Sequence, residues 1–216
     1  MVKGVLMEGF TDTEQKIINA ATAVFLEKGL DGARMQEIAD QAGINKALLH
    51  YYFRSKDKLF RTVFQNEIKN LLRTILDSAQ SSQNFEQFLQ SFITTYMKAI
   101  APRTNLMRFA IWEFGKDNYS IVDTFLQTFR EYGYPTNPLV ETTQKAIDEG
   151  QIRSLDPAHF TLSLLGVCIF PFMIKPFIEK LIPGVNMSDE HFIEQRAKEI
   201  YAMIWNGLKP PDQKTG

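Results

Sequence analysis

The stretch Arg34–Lys58, RMQEIADQAGINKALLHYYFRSKDK, holds two short helical patterns joined by a tight corner. Ile38, Ala39 and Ala42 recur at helical spacing, Gly43 stands where a helix stops in a left-handed residue, and Asn45 can cap the helix that follows. Small side chains at Ala39, Ala42 and Gly43 let the two helices cross closely, while Ile44, Leu49 and Phe53 give the second helix an inward row. With Leu49 inward, a rotation of about 100° per residue sends Ala47 and Tyr51 to the opposite face, with Lys46, Leu48 and His50 on its shoulders. The pattern predicts a helix-turn-helix followed by the start of a longer helix.

The charge around this corner is positive in a chain whose formal net charge is −1. Between Ile44 and Arg73 stand Lys46, Arg54, Lys56, Lys58, Arg61, Lys69 and Arg73, opposed by Asp57 and Glu67. A short helix presenting Lys, His and Tyr, backed by cations, suits a DNA major groove with phosphates along both walls. Spacing and charge alone also fit an ordinary helical hairpin with a solvated face.

The run GLDGARMQEIADQAGINKALLHYYFRSKDKLF, residues 29–60, resembles the DNA-binding domain of the TetR family of bacterial repressors. The matching positions are Gly29, Ile38, Ala39, Ala42, Gly43, Leu49, Tyr51, Phe53, Ser55, Lys56 and Leu59. Three places depart from the pattern: Ala33 and Arg34 stand where a Ser or Thr opens the first helix, Leu48 where Thr or Ser is common, and His50 where a tyrosine commonly touches a phosphate. The resemblance implies that Lys46, Ala47, Leu48, Tyr51 and Tyr52 lie near bases or backbone, and that Lys56 with the start of the following helix holds a phosphate. Arg34 is placed to do the same from the other helix, and Gln36, Asn45 and His50 complete the expected DNA-facing set. If Leu48 reaches the groove, its partner is a thymine methyl; the alternative is that it packs against the first helix.

At 216 residues, with 44% apolar and 12% aromatic side chains, the chain can bury one or two real cores. Cys168 is the only cysteine, so no intrachain disulfide or CxxC zinc site is possible, which suits a reducing cytoplasm; a buried small hydrophobe is the expected role. The opening MVKGVLMEGF lacks the apolar run of a signal peptide, and Leu164–Ile174, the longest apolar run, is short for a bilayer and contains Pro171. A soluble, cytoplasmic protein with no membrane partner is expected. His50, His159 and His191 are far apart, and no HExxH, GxSxG or phosphate-binding glycine loop occurs, so no catalytic constellation, metal site or cofactor is expected.

Along the chain, no segment alternates strongly enough for a strand, so the fold class is all-α. Thr13 is expected to cap a first helix ended by Gly29, with Ile17, Ala21, Val24 and Phe25 inward. A fourth helix should run from Asp57 to about Ala79, longer than a small domain needs, and so link two domains, 11–56 for DNA binding and 57–210 for effector binding and dimerisation. Further helices are expected before Pro102, over about Asn105–Gly115, Tyr119–Tyr132 and Leu139–Glu149, from Pro157 onwards until Pro171 and Pro176 kink or break it, and from about Ser188 to Leu208.

The helix after Pro157 and the last helix are apolar on several sides. In the resembled family the last two long helices build a four-helix dimer interface, and a two-fold dimer is what a palindromic operator requires. The remaining helices would enclose a pocket lined by Phe88, Phe92, Tyr96, Met107, Trp112, Glu113, Phe125, Phe129 and Phe170, suited to an apolar or flat molecule. Arg108, Arg130, His159 and Lys175 are further polar candidates in or beside apolar stretches, with His159 expected at the surface. The expected function is a homodimeric repressor released from double-stranded operator DNA by a small-molecule effector. The alternatives are a helical carrier of a hydrophobic ligand, or a DNA-binding regulator without a small-molecule effector.

Overall fold

The computed structural model describes residues 10–105, 107 and 120–209, and every regular element among them is helical. Helix α1 (Asp12–Gly32) starts at Thr11, whose Oγ1 accepts from the Glu14 N–H at 3.3 Å while its own N–H donates to Glu14 Oε2 at 2.9 Å. This capping box corrects the expected Thr13 cap: Glu14 lies three residues after Thr11 and closes the reciprocal pair. Gly29, at φ +69°, interrupts the helix where expected.

Helices α2 (Met35–Ala42) and α3 (Lys46–Tyr52) form the predicted corner, and α4 (Lys56–Gln80) leaves it as a 25-residue rod. Helix α5 (Phe85–Ile100) is capped by Asn84 and runs into a 3₁₀ turn at Ala101–Arg103. Then come α6 (Ser120–Glu131), α7 (Pro138–Asp148), α8 (Pro157–Met173), α9 (Lys175–Leu181) and α10 (Glu190–Leu208). Asp156 caps α8 through the Ala158 and His159 N–H groups at 2.8 and 2.9 Å, with Pro157 in the first turn as predicted. Helix α8 keeps Pro171 within its last turn, and the break falls at Ile174, where α9 turns away by 76°. Pro176 thereby sits in the first turn of α9, where a missing N–H costs nothing. No single described helix is long and apolar enough to cross a membrane.

Helix α1 packs on α2 and α4, α3 on α2, α4 on α5 and α6, α10 on α5, and α7 on α8. The buried side chains form one cluster that runs from Ile17 in α1 to Leu208 in α10. Helix α4 is common to both ends of it, burying Leu59, Phe60 and Val63 near α1 and Leu72, Ile75 and Leu76 farther along. The helix expected over about Asn105–Gly115 lies largely outside the described residues, as do Arg108, Trp112 and Glu113.

Candidate functional site

Two places combine exposed or enclosed chemistry with a built support. The first is the corner between α2 and α3. Gly43 closes α2 at φ +70°, donating its N–H to Asp40 O at 3.1 Å, and Ile44 N–H returns to Ala39 O at 3.0 Å. A side chain at Gly43 would meet no atom within 4 Å, so the glycine is there for its left-handed backbone and not for space. Asn45 Oδ1 then accepts from the Leu48 N–H at 2.7 Å and starts α3.

Behind α3, Ile38, Ala39 and Leu49 are fully buried and Phe53 nearly so. In front, Lys46, Ala47, His50 and Tyr51 are exposed, Tyr51 by 74%. Leu48 stands half-buried on the shoulder, and Tyr52 packs against the core while meeting the Tyr51 ring edge-on at 5.4 Å. Arg34 and Gln36 are exposed on α2; Arg34 caps that helix by its backbone alone, and Gln36 Nε2 donates to Asp40 Oδ1 at 2.8 Å. Ser55 caps α4 through the Lys58 N–H at 3.1 Å.

Lys56 differs from the sequence-based picture of a purely DNA-directed ammonium. It is half-buried, and its Nζ donates to Ala33 O at 3.3 Å, tying the first turn of α4 to the link before α2. Lys46, Arg54 and Lys58 are exposed and form no ion pair among the described residues. On the back of the same bundle Lys28 is paired with Glu37, which raises the lysine's pKa chiefly through that hydrogen bond. Lys46, Arg54 and Lys58 thus leave free positive charge on the α3 side, where a phosphate backbone would supply the missing anions.

The second place is a cavity of about 150 Å³ walled by α4, α5, α6, α7 and α8. The structure brings Phe88, Phe92, Tyr96, Phe125 and Phe129 to its wall. Phe88, Phe92 and Tyr96 recur every fourth residue on α5 and stack in sequence, with centroids 6.1 and 5.3 Å apart; Phe125 and Phe129 meet edge-on at 6.1 Å. Burial pushes the Tyr96 phenol above its ordinary pKa and the Cys168 thiol up to about 12, so both stay protonated at neutral pH.

Met107 is buried but is not one of the lining residues, and Phe170 is a correction. Phe170 stands 60% exposed on the outer side of α8, while Leu165 of the same helix faces the cavity. Helix α8 is apolar on nearly all sides, so its pattern could not say which side faces inward. Of the polar candidates, Arg130 and His159 are exposed, and Lys175 donates to Ser188 Oγ at 2.5 Å. No group of three or more His, Cys, Asp or Glu is placed to hold a metal ion among the described residues.

Sequence reasoning missed the α4 wall, Leu72, Ile75 and Leu76, and the turn residues Tyr134 and Asn137. It also missed a polar clasp on the far side of α6. Glu131 accepts from Lys69 Nζ at 2.9 Å and from Arg73 at 3.1 Å, and the Tyr132 hydroxyl donates to Asp77 Oδ1 at 2.6 Å. The Lys69 hydrogen bond, then that of Arg73, hold the Glu131 carboxyl below its usual pKa; burial and Asp77 push the Tyr132 phenol up to about 12. The available signal was the spacing of Lys69, Arg73 and Asp77, four residues apart on one face of α4. The helix that lines the cavity with two phenylalanines is therefore fastened to α4, the helix that begins beside the α2–α3 corner.

Three more hydrogen bonds join these regions. Arg103 donates to the buried Glu67 at 3.1 Å, and Asn105 Nδ2 donates to the α1 carbonyls of Leu26 and Glu27 at 2.9 and 3.3 Å.

Residues 17–63, which span α1 to the start of α4, match the family profile described as bacterial regulatory proteins, tetR family. The chain is 24% identical over 204 residues to the HTH-type transcriptional regulator RutR of Escherichia coli, covering 91% of each. It is 26% identical over 172 residues to the HTH-type transcriptional repressor SCO4008 of Streptomyces coelicolor, covering 80% of this chain and 84% of that one. In fold it superposes on the transcriptional regulator FadR of Bacillus subtilis, solved with stearoyl-CoA, with a TM-score of 0.64 at 17% identity over 89% of this chain and 97% of that one. These relatives are regulators and not enzymes. The exposed α3 surface on its filled core and these matches lead to one assignment: residues 17–63 are a helix-turn-helix of the kind found in bacterial regulatory proteins of the tetR family, in a chain similar along its length to helix-turn-helix transcriptional regulators.

Proposed function

We propose that the protein is a homodimeric, cytoplasmic repressor that reads a palindromic operator with α3 and leaves it when a small apolar or aromatic molecule occupies the cavity. The observation that carries the DNA half of this reading is the group of exposed, unneutralised cations Lys46, Arg54 and Lys58 around a helix pinned by the buried Leu49. In this reading residues 11–56 are the reading head and 57–210 the effector and dimer part. Lys46, Ala47, His50 and Tyr51 meet base edges or phosphates, with Leu48 beside a thymine methyl. Arg34 and Gln36 approach a phosphate at the start of α2, and Lys56 helps hold the corner shut while facing the backbone.

The outer side of α8 and α10 supports the dimer. Leu162, Phe170 and Met203 are each at least 60% exposed, and a Cβ at Gly166 would meet no atom within 4 Å. A second copy packed on these helices would cover that apolar stripe and place two reading heads on two half-sites. The cavity supports a ligand-responsive regulator over one without an effector. Ligand control follows by linkage, a molecule that prefers the cavity of the DNA-incompetent arrangement lowering operator affinity by its differential affinity, typically about 1–3 kcal/mol.

The test is gel shift with footprinting on the DNA upstream of the protein's own gene and its neighbours, at stated salt. A protected, roughly palindromic site that the Lys46→Ala, Tyr51→Ala double variant no longer protects is expected. Binding no stronger than to random DNA, or a site indifferent to those substitutions, would sink the reading.

A further inference from the structure

The cavity between α4 and α8 is smaller than a usual ligand site. About 150 Å³ accommodates one benzene-sized group, whereas sites for small organic ligands span roughly 300–1,000 Å³. A second, wider cleft of about 510 Å³ lies directly beside it, and Phe88 and Tyr134 belong to the walls of both. The cleft is walled mainly by polar side chains of the α4–α5 link and α7, in contrast with the aromatic and aliphatic wall inside.

The carboxylates of the cleft already hold hydrogen bonds within the chain. Glu141 accepts from the Thr136 N–H and hydroxyl at 3.0 and 2.7 Å, and Glu149 accepts from Gln151 Nε2 at 2.7 Å with Lys145 Nζ 3.7 Å away. Two carboxylates against one lysine leave the wall with a formal charge of −1, which repels an anionic head. The side chains of Gln80 and Gln83 make no hydrogen bond among the described residues, and Ser82 Oγ is buried without a partner. A buried hydroxyl left unbonded costs free energy that a ligand hydrogen bond recovers.

We propose that the two cavities are one site for an uncharged amphiphile, its ring-sized apolar end in the inner chamber and its hydrogen-bonding head in the cleft beside Ser82 and Gln83. This rests on the reading of the inner cavity as the effector site and adds the class of molecule that fits it. The head is uncharged because a wall of formal charge −1 repels an anion while its carboxylates already hold hydrogen bonds within the chain, Glu141 from Thr136 and Glu149 from Gln151; it is polar because the groups left over are amides and a hydroxyl.

The experiment is calorimetric titration of the full-length protein with 3-phenylpropan-1-ol, 3-phenylpropanoate, 3-phenylpropylammonium and propylbenzene at one pH and salt. The alcohol is expected to bind at least tenfold more tightly than the carboxylate and more tightly than the ammonium. Ser82→Ala should weaken the alcohol several-fold and leave propylbenzene unchanged. Gln83→Lys, at an exposed position, should narrow the gap between alcohol and carboxylate at least threefold. Leu165→Trp, which fills the inner chamber, should abolish binding of all four while circular dichroism stays helical. Carboxylate or ammonium binding as tight as the alcohol overturns the neutral head and leaves the cavity reading standing. No binding by any probe, or binding that both Leu165→Trp and Ser82→Ala leave unchanged, overturns the cavity as the effector site as well.

Discussion

The α2–α3 corner and the cavity between α4 and α8 manage packing and charge in opposite ways. At the corner the core is filled, with Ile38, Ala39 and Leu49 wholly buried, and the exposed cations Lys46, Arg54 and Lys58 are left without anions. Around the cavity the core is left partly empty, its described lining carries no charged side chain, and ion pairs tie its helices to their neighbours: Glu131 with Lys69 and Arg73, Lys98 with Glu194 at 2.5 Å, Arg103 with Glu67. A surface that must bind a polyanion needs free positive charge on a backing that does not yield. A site that must respond to a small molecule needs a void, and ion pairs that carry its distortion elsewhere. Helix α4 belongs to both regimes, which makes it the natural lever between them.

The largest effect that tests this contrast is on packing. Leu49→Ala removes a filled position, and about 2–5 kcal/mol of stability should go with it, together with operator binding. Leu165→Ala, at a half-buried position beside a void that already exists, should cost less than about 2 kcal/mol and leave operator binding in place. Urea melts of the two variants measure the difference, and equal losses would erase the distinction between filled and unfilled halves.

Next in size is the charge difference. Lys46→Ala should lower operator affinity and flatten the dependence of log K on log salt by about 0.9 if that lysine neutralises one phosphate. Tyr51→Ala should cost about 1–3 kcal/mol of operator binding with little change in that slope if its contact is to a base. A salt titration of binding separates the two, and a slope unaltered by Lys46→Ala would show that the free charge is not directed at DNA.

The clasp should yield the smaller, more specific change. Glu131→Gln leaves operator affinity in the absence of effector near its original value, and stability falls by less than about 1 kcal/mol because the pairs are partly exposed. What should shrink, by about 0.5–2 kcal/mol, is the loss of DNA affinity that effector produces. An unaltered response would remove α6 and α4 from the route.

Smallest of all is the effect of pH. Glu131 is held below its unfolded pKa, so its contribution to stability is present above about pH 4.3 and fades as pH falls through the lowered folded value. Tyr132 is raised to about 12, so its contribution is present below its unfolded value near 10 and lost only as pH rises through about 12. The clasp is therefore intact from about pH 6 to 8, and the effector response measured across that window should be flat.

How much was legible follows from the distance along the chain over which each feature is decided. The corner needs only neighbours: Gly43 to stop α2, Asn45 to start α3, Leu49 to turn its face, all within a few residues. Their chemistry is local, so spacing identified the exposed face of α3 correctly. The aromatic row Phe88, Phe92 and Tyr96 was visible for the same reason, a repeat of four on one helix. Phe170 was misplaced because α8 is apolar all round, and only its neighbours decide that Leu165 turns in and Phe170 out.

By itself, then, the amino-acid sequence determined the helical class, the start of α3 at Asn45, the outward face of that helix and its resemblance to a known family. Tertiary structure alone decided that Lys56 turns back to Ala33 and that Glu131 and Tyr132 clasp α4 across some sixty residues. It alone decided, too, that the inward rows of five helices do not close. Periodicity states which side of a helix faces in; whether the volumes of side chains from separate helices fill the space between them depends on how those helices are held apart, and that is set by contacts no single segment contains.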